Sequence, residues 1–125
     1  MKNYSKIIEI PTFEDERGIL TVMENILPFR IERIYWIYNA DEQSRGGHRH
    51  KITKQALVAL AGTVDLKIKN GKKESLYTLD DPSKCIIVEP EEWHTMFFKN
   101  HAVLLVFASH EYDKKDYIEK PLQIE

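Results

Sequence analysis

The chain predicts an all-β fold, an antiparallel sandwich or barrel built from about nine or ten short strands. Three observations carry this. Runs rich in β-branched and aromatic residues recur along the whole length. Turn-forming residues separate them at intervals of roughly eight to twelve positions. Only residues 112–119 have the composition of a helix, a short one near the C-terminus.

The elements follow in order. Residues 7–10 make a short strand ended by Pro11, the polar run 14–18 turns at Gly18, and residues 19–24 form a second strand. The run Ile31-Glu32-Arg33-Ile34-Tyr35-Trp36-Ile37-Tyr38 is a third. A polar loop over 39–44 leads into Arg45-Gly46-Gly47-His48-Arg49-His50-Lys51. Strands over 55–61, 63–69 and 74–79 come next, the last two joined by Asn70-Gly71, a strong two-residue hairpin signal. Asp80-Asp81-Pro82 is a turn, 85–88 a strand stopped by Pro90, 93–98 another strand, and Lys99-Asn100 turns the chain into a strand over 102–109. The charged stretch 111–116 reads as the solvated face of the short helix.

Composition limits the function classes. With 125 residues, 42% of them hydrophobic, the chain is one domain, residues 1–125, with a real core. A formal charge of −2 gives no global pull toward nucleic acid or anionic lipid. The one cysteine, Cys85, lies in an apolar run; it allows no internal disulfide and fits a reducing compartment. The first ten residues mix charges with isoleucines rather than showing a basic start and an apolar block, and the longest apolar stretch, 102–108, is too short to cross a bilayer. These features lead us to expect a soluble cytoplasmic protein.

The histidine stretch is where chemistry concentrates. Side chains on a strand alternate faces, so His48 and His50 project from one side together and Arg49 from the other. Gly46 and Gly47 let the backbone bend, or a ligand approach, without a Cβ in the way. His101 and His110 sit beside turns and read as structural, and Cys85 as buried filler.

The spacing resembles the cupin superfamily of small β-barrels: His-x-His, a glutamate after three or four residues, a glycine six further on, and a later motif with a third histidine. Gln55 stands at the glutamate position, Gly62 at the glycine, and Pro90-Glu91-Glu92-Trp93-His94 resembles the later motif. The glutamate is normally an anionic metal ligand, and a neutral amide serves a divalent cation poorly. A three-histidine site is chemically viable, but the expectation here is no metal and no cofactor, with free imidazoles available for proton transfer.

A narrower resemblance runs from about residue 7 to 118. Arg33-x-Tyr35-Trp36-Ile37-Tyr38, Arg45-Gly46-x-His48-x-His50-Lys51, Gln55, Trp93-His94 and Ala108-Ser109-x-x-Tyr112-Asp113-x-x-Asp116-Tyr117-Ile118 look like the dTDP-4-keto-6-deoxyglucose 3,4-ketoisomerase family. The resemblance implies a metal-independent cupin, an antiparallel β-barrel or jelly roll. It also implies an isomerase that moves a ketone from carbon 4 to carbon 3 of a dTDP-linked sugar, in deoxysugar biosynthesis for surface polysaccharide. Members are dimers with sites near the subunit interface. The family usually has a small residue between the histidines, where this chain has Arg49.

The proposed reaction asks for a base with a pKa near ambient pH and a donor where negative charge builds on oxygen. His50 is the expected base, with His48 and Tyr35 as donors or relays. Arg33 and Arg45 are expected on the diphosphate, and Tyr35, Trp36 or Trp93 under the nucleobase; Gln55, Trp93 and His94 complete the substrate-binding set. The nucleotide, thymidine or uridine, and the configuration at carbon 4 stay open. The competing readings are a nucleotide-sugar 3,5-epimerase, a non-catalytic sugar- or nucleotide-binding cupin, and a metal-dependent dioxygenase or isomerase.

Overall fold

The computed structural model describes residues 6–121. Ten strands run in chain order: β1 (Ile7–Glu9), β2 (Thr12–Asp15), β3 (Gly18–Thr21), β4 (Arg33–Ile37), β5 (Ser44–His50), β6 (Gln55–Asn70), β7 (Lys73–Leu79), β8 (Lys84–Val88), β9 (Trp93–Ala108) and β10 (Tyr117–Ile118). All pairings are antiparallel. Eight strands form one sheet along β1-β8-β6-β9-β5-β10, with β4 added on β9 and β7 on β6; β2 and β3 form a separate hairpin.

Two strands of 16 residues organise the sheet. The sequence reading divides each of them in two, at residue 62 and at Lys99-Asn100. The ladder instead runs through both bends: Ala59 pairs with Leu104, Ala61 with Val103 and Thr63 with Lys99, across two register shifts. Gly62 has φ +66°, and opposite it Asn100 and His101 hold φ +59° and +57°. Bulges of this kind kink a strand without ending it. The first half of β6 then pairs with β8 and its second half with β7, so each long strand serves both halves of the molecule.

The continuous apolar run at the start of β6 follows from burial on both faces. Leu57 and Ala59 face a core with Leu66, Ile86, Phe98, Leu104 and Val106. Ala56 and Val58 face a second one with Cys85, Ile87 and Phe107, covered by Met23, Ile26, Leu27, Phe29 and Ile31 from the segment before β4. Cys85 is fully buried filler, as expected, and burial pushes its thiol up to about 11.

Two local readings need correction. The stretch before Gly18 is more than a turn: Thr12–Asp15 is strand β2, paired with β3. The helix expected over 112–119 is a single 3-10 turn, Lys114–Asp116, followed by β10. Asp113 caps that turn by accepting a hydrogen bond from the Lys115 N–H, and Tyr117 is already extended at φ −91°, ψ 131°. Ties to β5 at Asp116 and Tyr117 pull the chain out of helical geometry.

No helix among the described residues is long and apolar enough to span a membrane.

Geometry favours glycine strongly at position 62. A Cβ there would lie 2.5 Å from both the Ala102 Cα and the Asn100 carbonyl oxygen, on a left-handed backbone. Gly62→Ala is expected to lower unfolding stability by on the order of 3 kcal/mol, measured by urea denaturation.

Candidate active site

The site forms where β5, the start of β9 and β10 meet. His48 and His94 are paired across β5 and β9, and Tyr117 is paired with His50 across β10 and β5. Paired residues share a face, which brings the four rings together. The His48 ring centroid lies 5.0 Å from that of His50, 4.8 Å from His94 and 4.8 Å from Tyr117. The Tyr117 ring also lies 4.4 Å from His50.

A bulge sets this register. Between Gly46 and His48 the ladder shifts by one residue, and both Gly46 and Gly47 have positive φ. A side chain at Gly46 would press a Cβ to 2.8 Å from the His94 carbonyl oxygen. The glycines thus do what the sequence suggests: they let β5 lie tight against β9.

His50 is held by a residue that the sequence reading assigns to a solvated face. Asp116 is 5% exposed, and its carboxylate lies 2.8 Å from His50 Nδ1. It also accepts hydrogen bonds from the Lys51 N–H at 2.9 Å, the Ile52 N–H at 2.8 Å and the Thr53 hydroxyl. Burial works to raise the Asp116 pKa, but the bonds from Thr53, Ile52 and His50 outweigh it and hold the acid down at about 2. An ionised carboxylate only accepts, so His50 Nδ1 carries the proton and donates. Nε2 is then a bare lone pair; it is buried and has no protein partner. The available signal was Asp116 itself, an acid directly before the Tyr117-Ile118 pair.

Burial presses the three histidines of the site toward the neutral form. Burial lowers the His48 pKa, as does neighbouring His50, against a hydrogen bond to the Gly46 carbonyl. Burial likewise lowers His50, partly offset by Asp116. Burial, then His48, takes His94 down to about 3. Its Nδ1 lies 3.3 Å from the Glu92 carbonyl oxygen.

Tyr35, on β4, faces the same interior. Its hydroxyl accepts a hydrogen bond from Gln55 Nε2 at 2.8 Å, which leaves its own proton to donate. Burial first, then Tyr117, raises its pKa. Arg33 lies above the Tyr35 ring, 5.1 Å from the centroid, and its Nη2 donates to the Tyr117 hydroxyl at 3.4 Å. Its Nε is buried without a partner.

Not every expected residue joins this group. Arg45 is exposed on β5, close enough to lower the Tyr35 pKa slightly. Trp93 falls on the opposite face of β9 from His94, near Gly47, and Trp36 on the opposite face of β4 from Tyr35, 59% exposed. His101 and His110 are exposed, paired with Asp41 and Ser109.

His48, His50 and His94 each offer a ring nitrogen, all within 4.8 Å of one another, close enough to share a cation. The residue at the usual carboxylate position, Gln55, is neutral and turned to Tyr35 instead.

Buried neutral histidines make stability depend on pH. Unfolded, His94 titrates near 6.5; folded, near 3. Between those values the unfolded chain binds a proton that the native chain does not. Stability is therefore full above about pH 6.5 and falls as the pH drops toward 3, by on the order of a few kcal/mol. His94→Gln should flatten that slope in denaturant titrations run from pH 7 to pH 4.

The chain is similar to known proteins over most of its length. Residues 3–123 match the family model FdtA: WxcM-like, C-terminal. The chain is 37% identical over 118 residues to the TDP-4-oxo-6-deoxy-alpha-D-glucose-3,4-oxoisomerase of Aneurinibacillus thermoaerophilus, covering 91% of this chain and 85% of that protein. Among solved structures, it resembles the 3,4-ketoisomerase QdtA of Thermoanaerobacterium thermosaccharolyticum, in a histidine-to-asparagine form in complex with TDP-4-keto-6-deoxyglucose. That match has TM-score 0.88 and 38% identity, over 91% of this chain and 86% of that one. The WlaRB TDP-quinovose 3,4-ketoisomerase of Campylobacter jejuni matches with TM-score 0.87 and 34% identity, over 92% of each chain. The chain belongs to the FdtA family, the family of the TDP-sugar 3,4-ketoisomerases.

Proposed function

We propose that this chain, as one domain, converts a dTDP-4-keto-6-deoxyhexose into its 3-keto isomer by histidine acid-base catalysis. The observation that carries the mechanism is His50, with Nδ1 tied to Asp116 and a bare Nε2 aimed into the site. Nε2 removes the proton on sugar carbon 3, and the electron pair moves to give an enediolate with negative charge on the carbon 4 oxygen. Tyr35 donates its free hydroxyl proton there. His48, between His50 and His94, takes the proton from the carbon 3 hydroxyl as that oxygen becomes the new carbonyl and passes it on to restore Tyr35, while carbon 4 takes its proton from His50 after exchange with solvent. No redox cofactor is needed, because the hydride-equivalent change stays within the sugar.

For binding, the unpartnered Nε of Arg33 beside Tyr112 and Tyr117 suits a diphosphate oxygen, with exposed Arg45 as the second cation. His94 lines the wall beneath the sugar and Gln55 orients Tyr35; Trp93 is the aromatic candidate for the base. The neutral Gln55 supports working without a metal. The epimerase and binding-protein readings are less favoured, given the relatives' names and the activated His50.

A homodimer is proposed as the working form. Phe13, Ile19 and Leu20 on the separate hairpin, Ile34 and Trp36 on the outer face of β4, and Tyr38 just past it are all at least half exposed. Its place would be the cytoplasm, supplying deoxysugar for surface polysaccharide, with neither nucleic acid nor membrane as a partner.

Proton NMR of TDP-4-keto-6-deoxyglucose in deuterated water tests the reaction. The expected result is a 3-keto product labelled at carbon 4, absent with His50→Asn and undiminished after chelator treatment. Labelling at carbon 3 without product would point to another sugar; no exchange at all would favour the binding protein. Asp116→Asn, which can donate to Nδ1 and so move the proton onto Nε2, should lower kcat by on the order of a hundredfold or more. The acid limb of the wild-type rate profile should lie below pH 6.5, since burial lowers His50.

A further inference from the structure

Arg49 occupies the position between the two histidines, and strand alternation turns it away from them. Its side chain is nevertheless only 11% exposed. The guanidinium reaches two segments at once. Nη1 donates to Glu91 Oε1 at 2.7 Å, in the loop between β8 and β9, and Nε donates to the Lys120 carbonyl at 3.0 Å, just past β10. Glu91 is drawn in by its main chain as well, at φ +71°, with its N–H donating to the His50 carbonyl at 2.7 Å.

These three segments are the ones that supply the site: β5 gives His48 and His50, the loop leads into Trp93 and His94, and β10 follows Asp116 and carries Tyr117. β10 is the weakest of them. It has two residues and two register pairs, Tyr117 with His50 and Ile118 with Arg49. On its inner side it is secured by Asp116; on its outer side by Arg49.

We propose that Arg49 is a positioning residue, a clasp on the outer side of β5 that holds the C-terminal segment and the β8–β9 loop together and so keeps Asp116 and Tyr117 seated on His50. An ion pair whose carboxylate is half exposed contributes little to global stability. Its loss is therefore felt in the alignment of the site more than in the fold.

The test uses the full chain as wild type, Arg49→Ala, Arg49→Lys and Glu91→Ala. Amide exchange at Lys51 and Ile52, whose N–H groups rest on Asp116, reports the seating of that residue without any substrate. Arg49→Ala should speed both amides by about tenfold or more while β6 amides stay protected, and should lower kcat on TDP-4-keto-6-deoxyglucose by on the order of tenfold to a hundredfold with a smaller change in KM. Arg49→Lys, whose ammonium reaches one anchor at a time, should fall between. Should Arg49→Ala not fold, Glu91→Ala removes one anchor and is expected to show the same pattern, severalfold in size. Unchanged exchange at Lys51 and Ile52 in a folded variant overturns the clasp, as does faster exchange with kcat intact. The kinetic arm rests on the ketoisomerase reading: faster exchange in a protein whose wild type does not turn the sugar over sustains the clasp on Asp116 and overturns that reading instead.

Discussion

The buried carboxylate of Asp116 is the interaction on which the site depends. It gathers His50, two backbone N–H groups and a hydroxyl around one ionised group, and each bond does a separate task. The N–H and hydroxyl bonds keep the carboxylate charged in a place that would otherwise protonate it. The charge fixes the tautomer of His50. The Lys51 N–H also donates to the Asp116 carbonyl, so the same contact starts β10 and brings Tyr117 over the imidazoles. A single acid thus links local backbone geometry to the availability of one lone pair.

Electrostatics elsewhere in the site act in the same sense. All three histidines are pressed toward neutrality by burial, and Tyr35 toward its protonated form. The site then holds neutral imidazoles and a neutral phenol beside two charged groups, Asp116 and Arg33. A poorly solvated pocket strengthens whatever charge develops during reaction. Arg33 lies against the aromatic wall, over the rings of Tyr35 and Tyr112.

Much of this was legible in the sequence. The β class, a hairpin at this point of the chain (its turn is Gly71-Lys72, one residue later than Asn70-Gly71, since Asn70 pairs with Lys73), the shared face of His48 and His50, and the tight approach at Gly46-Gly47 all follow from strand period and turn chemistry, which are local properties. What was lost was non-local. Gly62 and Lys99-Asn100 read as stops because they break strand propensity, yet pairing across the sheet carries both strands through the bend. Asp116 read as solvated because its neighbours are charged, while its burial comes from contacts 63 to 66 residues away. Trp93 and His94 were grouped as one motif, but adjacent residues on a strand face opposite ways.

The length of β6 and β9 has a further consequence, for cooperativity. Because each passes through both halves of the sheet, no plane divides the molecule into parts that could unfold separately. The least costly openings are confined to β1 and β10, each attached along one short edge, and to the separate β2–β3 hairpin. Of these, β10 carries Tyr117 and directly follows Asp116. The element that completes the site is therefore also among those whose release disturbs the rest of the fold least, which separates motion at the site from the integrity of the sheet.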